Sequence, residues 1–123
     1  MWWPWKPRKK YDVVEYWNNR ENPNSKNPNE RNTQLHIDYV NSNIDEQDKI
    51  LDFGPGVGRI LPAYYRKNKI TGYDISSKYK ERLLKAAENE KIDLELVIET
   101  KKITKFVFSD GSFDCCVSIS VLL

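Results

Sequence analysis

Residues 49–59, KILDFGPGVGR, are the stretch around which the rest of this chain is arranged. Their apolar start, 50–53, predicts a buried β-strand that ends in a glycine-rich turn. Gly54, Gly56 and Gly58 allow the backbone to adopt positive φ and to approach a ligand closely. We expect a helix over about 57–67 to follow the turn. Its free N–H groups would point back at the turn, where they favour negative or polar ligand groups.

Two acids stand at the ends of predicted strands. Asp52 lies at the carboxyl end of the first strand, where open α/β sheets bind their ligands. A second predicted strand, 69–74, ends at Asp74, which is 22 positions after Asp52. This separation is close to the roughly 20 residues at which an acid meets a ribose hydroxyl in nucleotide-binding βαβ units. Taken alone, Asp74 is equally compatible with a turn or capping role.

The remaining pattern predicts an α/β domain. Helices are expected over 11–20 and 29–43, the second with Ile37, Val40 and Ile44 on its buried face. A further helix, capped by Ser76, is expected to end near residue 90. The alternating segment 94–98 predicts a half-exposed edge strand, and the apolar segment 115–121 predicts a strand covered on both faces. Right-handed crossovers then give a Rossmann-like parallel sheet of order 3-2-1-4 with flanking helices.

Length and composition are those of one ordinary domain. The chain has 123 residues, of which 39% are hydrophobic and 31% charged. The net charge of +2 is too small to argue for a nucleic-acid partner, and no apolar run reaches membrane-spanning length. Residues 1–10 lack the apolar region of a signal peptide, so we expect an N-terminal tail there and the domain over 11–123.

The tail combines three tryptophans with basic residues, which suits a membrane-surface or nucleic-acid contact as well as a loosely packed end.

The adjacent Cys115 and Cys116 face opposite sides of a predicted strand. They therefore cannot form an ordinary disulfide or share a metal ion, and we expect a reducing, cytoplasmic setting. The lone His36 is expected to have a structural or surface role.

The glycine spacing separates two nucleotide-binding patterns. The dinucleotide motif is G-x-G-x-x-G, but its third glycine position is occupied by Arg59. The pattern here is G-x-G-x-G, with Asp52 two residues upstream, and it resembles motif I of the class I S-adenosylmethionine-dependent methyltransferases of the type 11/25 kind. The segment 108–122, FSDGSFDCCVSISVL, is similar to that family's Pro-Phe-x-Asp-x-Ser-Phe-Asp segment and the fourth strand that follows it. The resemblance runs from about residue 11 to the end.

The resemblance implies S-adenosylmethionine as the cofactor and assigns its contacts. The glycine turn would contact the amino-acid end of the cofactor, Asp74 both ribose hydroxyls and Ile75 the adenine face. Glu99 is the nearest match to the family's adenine-binding acid, and its alignment leaves adenine recognition open. Arg20, in a segment similar to the family's Tyr-Trp-x-x-Arg, would hold the cofactor carboxylate, although it also suits an exposed surface arginine. The full set of predicted contacts is Arg20, Asp52, Gly54, Pro55, Gly56, Gly58, Asp74, Ile75, Glu99 and Ser118.

The implied activity is methyl transfer to an unidentified acceptor, with a small molecule favoured over nucleic acid. No catalytic residue and no metal site can be assigned from the sequence. Two alternatives stay open: a non-catalytic cofactor-binding module, and a nicotinamide or flavin oxidoreductase, against which the glycine spacing argues. Family members continue beyond the fourth strand, so the chain is expected to be the cofactor-binding half, truncated after that strand. An uncovered fourth strand would favour self-association.

Overall fold

The computed structural model describes residues 14, 18, 30–99 and 107–119. Its continuous described segments, 30–99 and 107–119, form two α-helices, four strands and a short 3₁₀ helix, in the order α1 (Glu30–Ser42), β1 (Lys49–Phe53), the 3₁₀ helix (Leu61–Ala63), β2 (Lys69–Asp74), α2 (Lys80–Glu90), β3 (Asp93–Ile98) and β4 (Cys115–Val117). Val14 and Asn18 are both helical, as the prediction for 11–20 requires. The predicted tail, Arg20 and the last residues of the predicted fourth strand lie outside the described residues.

The four strands form one parallel sheet in the order β3-β2-β1-β4. This confirms the predicted Rossmann-like architecture. The register places Asp52 beside Gly72 of β2 and Val117 of β4, so Asp52 occupies the middle of the sheet near its carboxyl edge. β3 lies at one edge, and its alternation of exposed and partly buried side chains confirms the predicted edge strand.

The apolar faces of the helices cover the central strands. Ile50 is fully buried in β1, and Leu83 and Ala87 of α2 pack into the same cluster. Val40 near the end of α1 is buried, Ile37 packs against the same cluster, and Ile44 is buried two residues beyond the end of the helix, so the predicted buried positions are confirmed. No helix within the described part of the chain is long and apolar enough to cross a membrane.

The prediction of a helix over 57–67 is wrong. The chain instead turns through 56–60 and forms only the 3₁₀ helix, with Leu61 N–H donating to the Gly58 carbonyl at 3.1 Å. Pro62 explains the difference, because it has no N–H with which to donate to that carbonyl and extend an α-helix. Gly58 is also non-helical, with a φ of 88°. There is thus no α-helix N-terminus at the glycine turn to attract a ligand, and the turn's own geometry must supply the site.

Two further predictions need correction. α2 begins only at Lys80, and its N-cap Tyr79 makes no side-chain capping bond, so Ser76 does not cap it. The Ser76 hydroxyl instead accepts from the Lys78 N–H at 3.3 Å and donates to Asn18 Oδ1 at 2.6 Å. In β4, Val117 is buried but Cys116 is exposed, so the described strand is not covered on both faces. Both cysteines are free.

Candidate cofactor site

The three glycines of the turn all have positive φ, at 74° for Gly54, 57° for Gly56 and 88° for Gly58. This is the backbone conformation that the spacing predicts, and side chains disfavour it. The Gly54 N–H donates to the Tyr73 carbonyl at 2.8 Å, which fastens the start of the turn to β2. The turn is therefore held at the carboxyl edge of the two central strands.

Gly56 and Gly58 have different surroundings. A Cβ placed on Gly56 would meet no heavy atom within 4 Å, so the space above this residue is open to a ligand. A Cβ on Gly58 would lie 2.8 Å from Leu61 Cδ1 and 3.1 Å from Leu83 Cδ1. Gly58 thus allows the turn to pack against α2, whereas Gly56 is the glycine that leaves room for a bound group.

Asp74 is joined directly to the turn. Its Oδ2 accepts from the Gly56 N–H at 3.3 Å, and its Oδ1 accepts from the Ser76 N–H at 3.1 Å. Burial raises the pKa of Asp74, while the backbone hydrogen bonds from Ser76, Gly56 and Ile75 act in the opposite direction. The carboxylate is held in one orientation and retains lone pairs for further donors such as ribose hydroxyls.

Asp52 is almost completely buried and has a tyrosine as its partner. Only 5% of its surface is exposed, and its Oδ2 accepts from the Tyr64 hydroxyl at 2.8 Å. Its pKa is raised to about 6, chiefly by burial. The hydrogen bond from Tyr64 acts to lower the pKa, and the nearby charge of Asp74 acts to raise it. The sequence analysis missed this pair, because nothing in the spacing of Asp52 and Tyr64 indicates a contact.

The other predicted contacts stand at the same edge of the sheet. Glu99 directly follows β3, and its N–H donates to the Asp74 carbonyl at 2.9 Å. Ile75 follows β2 and is half-buried, while Ser118 follows β4 and is exposed. Pro55 packs toward the backbone of Gly72, with its Cγ 3.2 Å from where a Cβ would stand there. The structure thus brings all the described members of the predicted set to one edge; Arg20 lies outside the described residues.

Arg59 connects the turn to α1. Its Nη1 donates to Thr33 Oγ1 at 3.0 Å and contacts His36 Nδ1 at 3.2 Å. Since a guanidinium has only donors, Nδ1 is the acceptor in this contact. The contact agrees with a structural role for His36. No group of three or more His, Cys, Asp or Glu side chains among the described residues could hold a metal ion.

This geometry has a counterpart in a known family. The profile of the methyltransferase domain family matches residues 51–123, which begin inside β1 and include the glycine turn, Asp74 and β4. The chain belongs to the methyltransferase domain family. The match confirms the predicted relationship to the class I S-adenosylmethionine-dependent methyltransferases, and with it S-adenosylmethionine as the cofactor of this fold.

Solved structures agree with this methyltransferase fold. A dimethyladenosine transferase from Plasmodium falciparum is similar over 76% of this chain and 32% of its own, with 26% identity and a TM-score of 0.54. Coclaurine N-methyltransferase, solved with N-methylheliamine and SAH, is similar over 82% of this chain and 30% of its own, with 15% identity and a TM-score of 0.53. The methyltransferase domain described here therefore spans about a third of the length of these structures. No curated protein is similar enough in sequence to count as a match.

Proposed function

We propose that this methyltransferase domain binds S-adenosylmethionine at the carboxyl edge of its sheet and takes part in methyl transfer to an acceptor, with a small molecule favoured over nucleic acid. The observation that carries the proposal is the junction of Gly56 and Asp74. A turn with open space above Gly56 lies beside a carboxylate that is fixed by two backbone N–H groups. The arrangement suits a ligand whose ribose meets the Asp74 carboxylate while another of its groups passes close to the Gly56 backbone.

Each described residue has a defined task in this proposal. Asp74 accepts from the two ribose hydroxyls, which a carboxylate does well because both oxygens are acceptors. Ile75 covers one face of the adenine. Glu99, which follows β3 and is bonded through its N–H to the Asp74 carbonyl, accepts from the adenine amino group. Asp52 and the turn around Gly54 hold the amino-acid end. Arg20 stays a proposed partner of the cofactor carboxylate, and Ser118 a contact from the end of β4.

Methyl transfer needs positioning more than acid–base chemistry. The cofactor, when bound, supplies an activated methyl group, and the protein's part is to orient it and exclude competing reactions. The site residues proposed here bind and orient; none is assigned as a general base.

The acceptor class is inferred from charge. A net charge of +2 supplies little of the phosphate attraction on which nucleic-acid binding depends. The two related structures include both an enzyme named for a nucleoside and one solved with a small amine, so both classes belong in the test. The alternative function is a cofactor-binding module without transfer. A cytoplasmic setting and self-association through β4 are further parts of the proposal.

The deciding experiment has two stages. Calorimetric titration of the full chain with S-adenosylmethionine, S-adenosylhomocysteine and NADH tests the binding site, and we expect binding of the first two alone. Transfer of a labelled methyl group is then measured with panels of small amines, small hydroxyl compounds and structured RNA. Binding with label in the small-molecule panel supports the proposal. Binding without transfer to any panel favours the non-catalytic alternative, and binding of NADH alone would overturn both.

A further inference from the structure

Tyr64 is the one described side chain that makes a hydrogen bond to Asp52, and it does so from a buried position. The 3₁₀ helix ends immediately before it, and the extended backbone of Tyr64 (φ −86°, ψ 149°) follows the Leu61–Ala63 turn. Tyr64 is only 6% exposed, and its hydroxyl lies 2.8 Å from Asp52 Oδ2. A tyrosine held this tightly restricts the rotation of the carboxylate that it contacts.

Among the residues that the structure describes, Asp52 has no counter-ion. The described titratable groups that interact with it are Tyr64, Asp74 from β2 and Cys116 from β4, and none of them is a cation. Within the described chain, no lysine or arginine forms an ion pair with Asp52, and no group donates to its Oδ1. Oδ2 is occupied by the tyrosine, so Oδ1 is the atom left for a ligand.

We propose that Tyr64 is a positioning residue of the cofactor site: by holding Oδ2 of Asp52, it presents Oδ1, as a charged acceptor, to the ammonium group of the cofactor's amino-acid portion. This inference rests on the proposed function, which places Asp52 at that end of the cofactor. Tyr64 itself touches neither the cofactor nor the reacting atoms. Its hydrogen bond also opposes the effect of burial on the pKa of Asp52, because a hydroxyl that donates to a carboxylate favours the ionised form.

The test is Tyr64→Phe, which removes one oxygen and keeps the ring. Tyr65→Phe is the matched control, because it makes the same change at the next residue, whose hydroxyl is not bonded to Asp52. Binding of S-adenosylhomocysteine is measured by calorimetry from pH 5 to 7. An analogue of S-adenosylhomocysteine without the α-amino group is titrated in parallel, and thermal melts establish that each variant is folded.

We expect Tyr65→Phe to bind like the parent, and Tyr64→Phe to bind S-adenosylhomocysteine roughly tenfold more weakly at pH 7, the size expected for losing a hydrogen bond to a charged group. The deaminated analogue should bind the parent and Tyr64→Phe equally. In the parent, affinity should fall as pH drops through about 6, where Asp52 gains a proton. In Tyr64→Phe this fall should begin at higher pH, because the bond that lowers the pKa of Asp52 is gone. A merely structural tyrosine would not move the midpoint.

A folded Tyr64→Phe with the affinity and pH midpoint of the parent would overturn the inference. If Tyr64→Phe does not fold, Asp52→Asn takes its place, since it keeps an acceptor for Tyr64 and removes the charge. Asp52→Asn should no longer distinguish S-adenosylhomocysteine from its deaminated analogue. If it discriminates as strongly as the parent, the inference also fails. A parent chain that binds neither ligand refutes the proposed function itself, which is a different result from either.

Discussion

The backbone N–H of Gly56 donates to Oδ2 of Asp74 across 3.3 Å, so the glycine turn after β1 and the acid that ends β2 form one unit. β1, which the turn follows, and β2, which Asp74 ends, are neighbouring parallel strands, and Asp74 is also held by the Ser76 N–H on its other oxygen. A ribose that approaches Asp74 must therefore pass beside the open face of Gly56.

Asp74→Ala should abolish most of the ribose contribution to cofactor binding. The loss should be about 1.5–3 kcal/mol, the range for hydrogen bonds to a charged group. Isothermal calorimetry with S-adenosylhomocysteine measures it. Asp93→Ala is the control, because Asp93 is an exposed acid at the opposite end of the sheet, where β3 begins. Equal affinity of a folded Asp74→Ala and the control would exclude Asp74 from the site.

Gly56→Ala and Gly58→Ala should separate binding from stability. Both place a side chain at positive φ, which costs about 1–2 kcal/mol. Gly58→Ala adds a clash with Leu61 and Leu83, for which overpacking costs about 1–3 kcal/mol more. Denaturant unfolding should thus show Gly58→Ala as the less stable variant.

The same pair should behave differently toward the ligand. Gly56→Ala remains folded but fills the open space beside Asp74, so we expect the larger loss of S-adenosylhomocysteine affinity there. Gly56→Val should bind worse still, because its side chain is larger. Undiminished binding by Gly56→Val would show that the glycine turn is not the site.

Asp52→Asn should stabilise the chain above pH 6 while weakening cofactor binding. The pKa of Asp52 is raised from 3.8 to about 6 by burial, so the folded chain binds this proton more tightly than the unfolded chain does. Its contribution to stability is therefore greatest below about pH 4 and is lost as pH rises to about 6, by roughly 2–3 kcal/mol. Asn keeps an acceptor for Tyr64 and does not titrate.

The measurement is the free energy of unfolding of the parent and of Asp52→Asn at several values between pH 4 and 7. The difference between them should grow with pH across that window and level off above it. The Asp74 carboxyl, whose pKa is also raised, is present in both chains, and its coupling to Asp52 is part of the measured difference. A difference that does not change with pH would contradict the assigned charge state of Asp52.

Self-association should proceed through β4. β4 pairs only with β1 among the described strands, and a strand edge without a partner favours pairing with a second chain. Cys116→Lys places a charge at an exposed position of this strand and should shift the chain toward monomer in sedimentation experiments at micromolar concentration. Cys116→Ser is the control and should behave like the parent. If the parent chain is monomeric at these concentrations, the proposed self-association through β4 is refuted.

Much of the architecture follows from local pattern. Alternation in 94–98 and apolar character in 50–53 identify strands, because a strand's side chains must match the faces it covers. The positive φ of Gly54, Gly56 and Gly58 also follows from the local sequence, because glycine is the residue that adopts positive φ readily. Asp74 could be predicted as a site residue because parallel strands bring their carboxyl ends to one edge.

The helix expected over 57–67 did not form, because the missing N–H of Pro62 outweighed the helical pattern around it, and this cause is local. Other features depended on contacts between distant residues. The separate roles of Gly56 and Gly58 appear only when Leu83 of α2 is in place.

The sequence by itself determined the strands, their order and the edge proposed to bind the cofactor, because periodicity and glycine spacing are properties of neighbouring residues. Only the tertiary structure decided that Tyr64 donates to Asp52 and that Arg59 contacts Thr33 and His36. Such pairs join side chains from different elements, and their distances are set by how those elements pack, which no local pattern records. The charge state of Asp52 belongs with them, since it depends on burial by the whole fold.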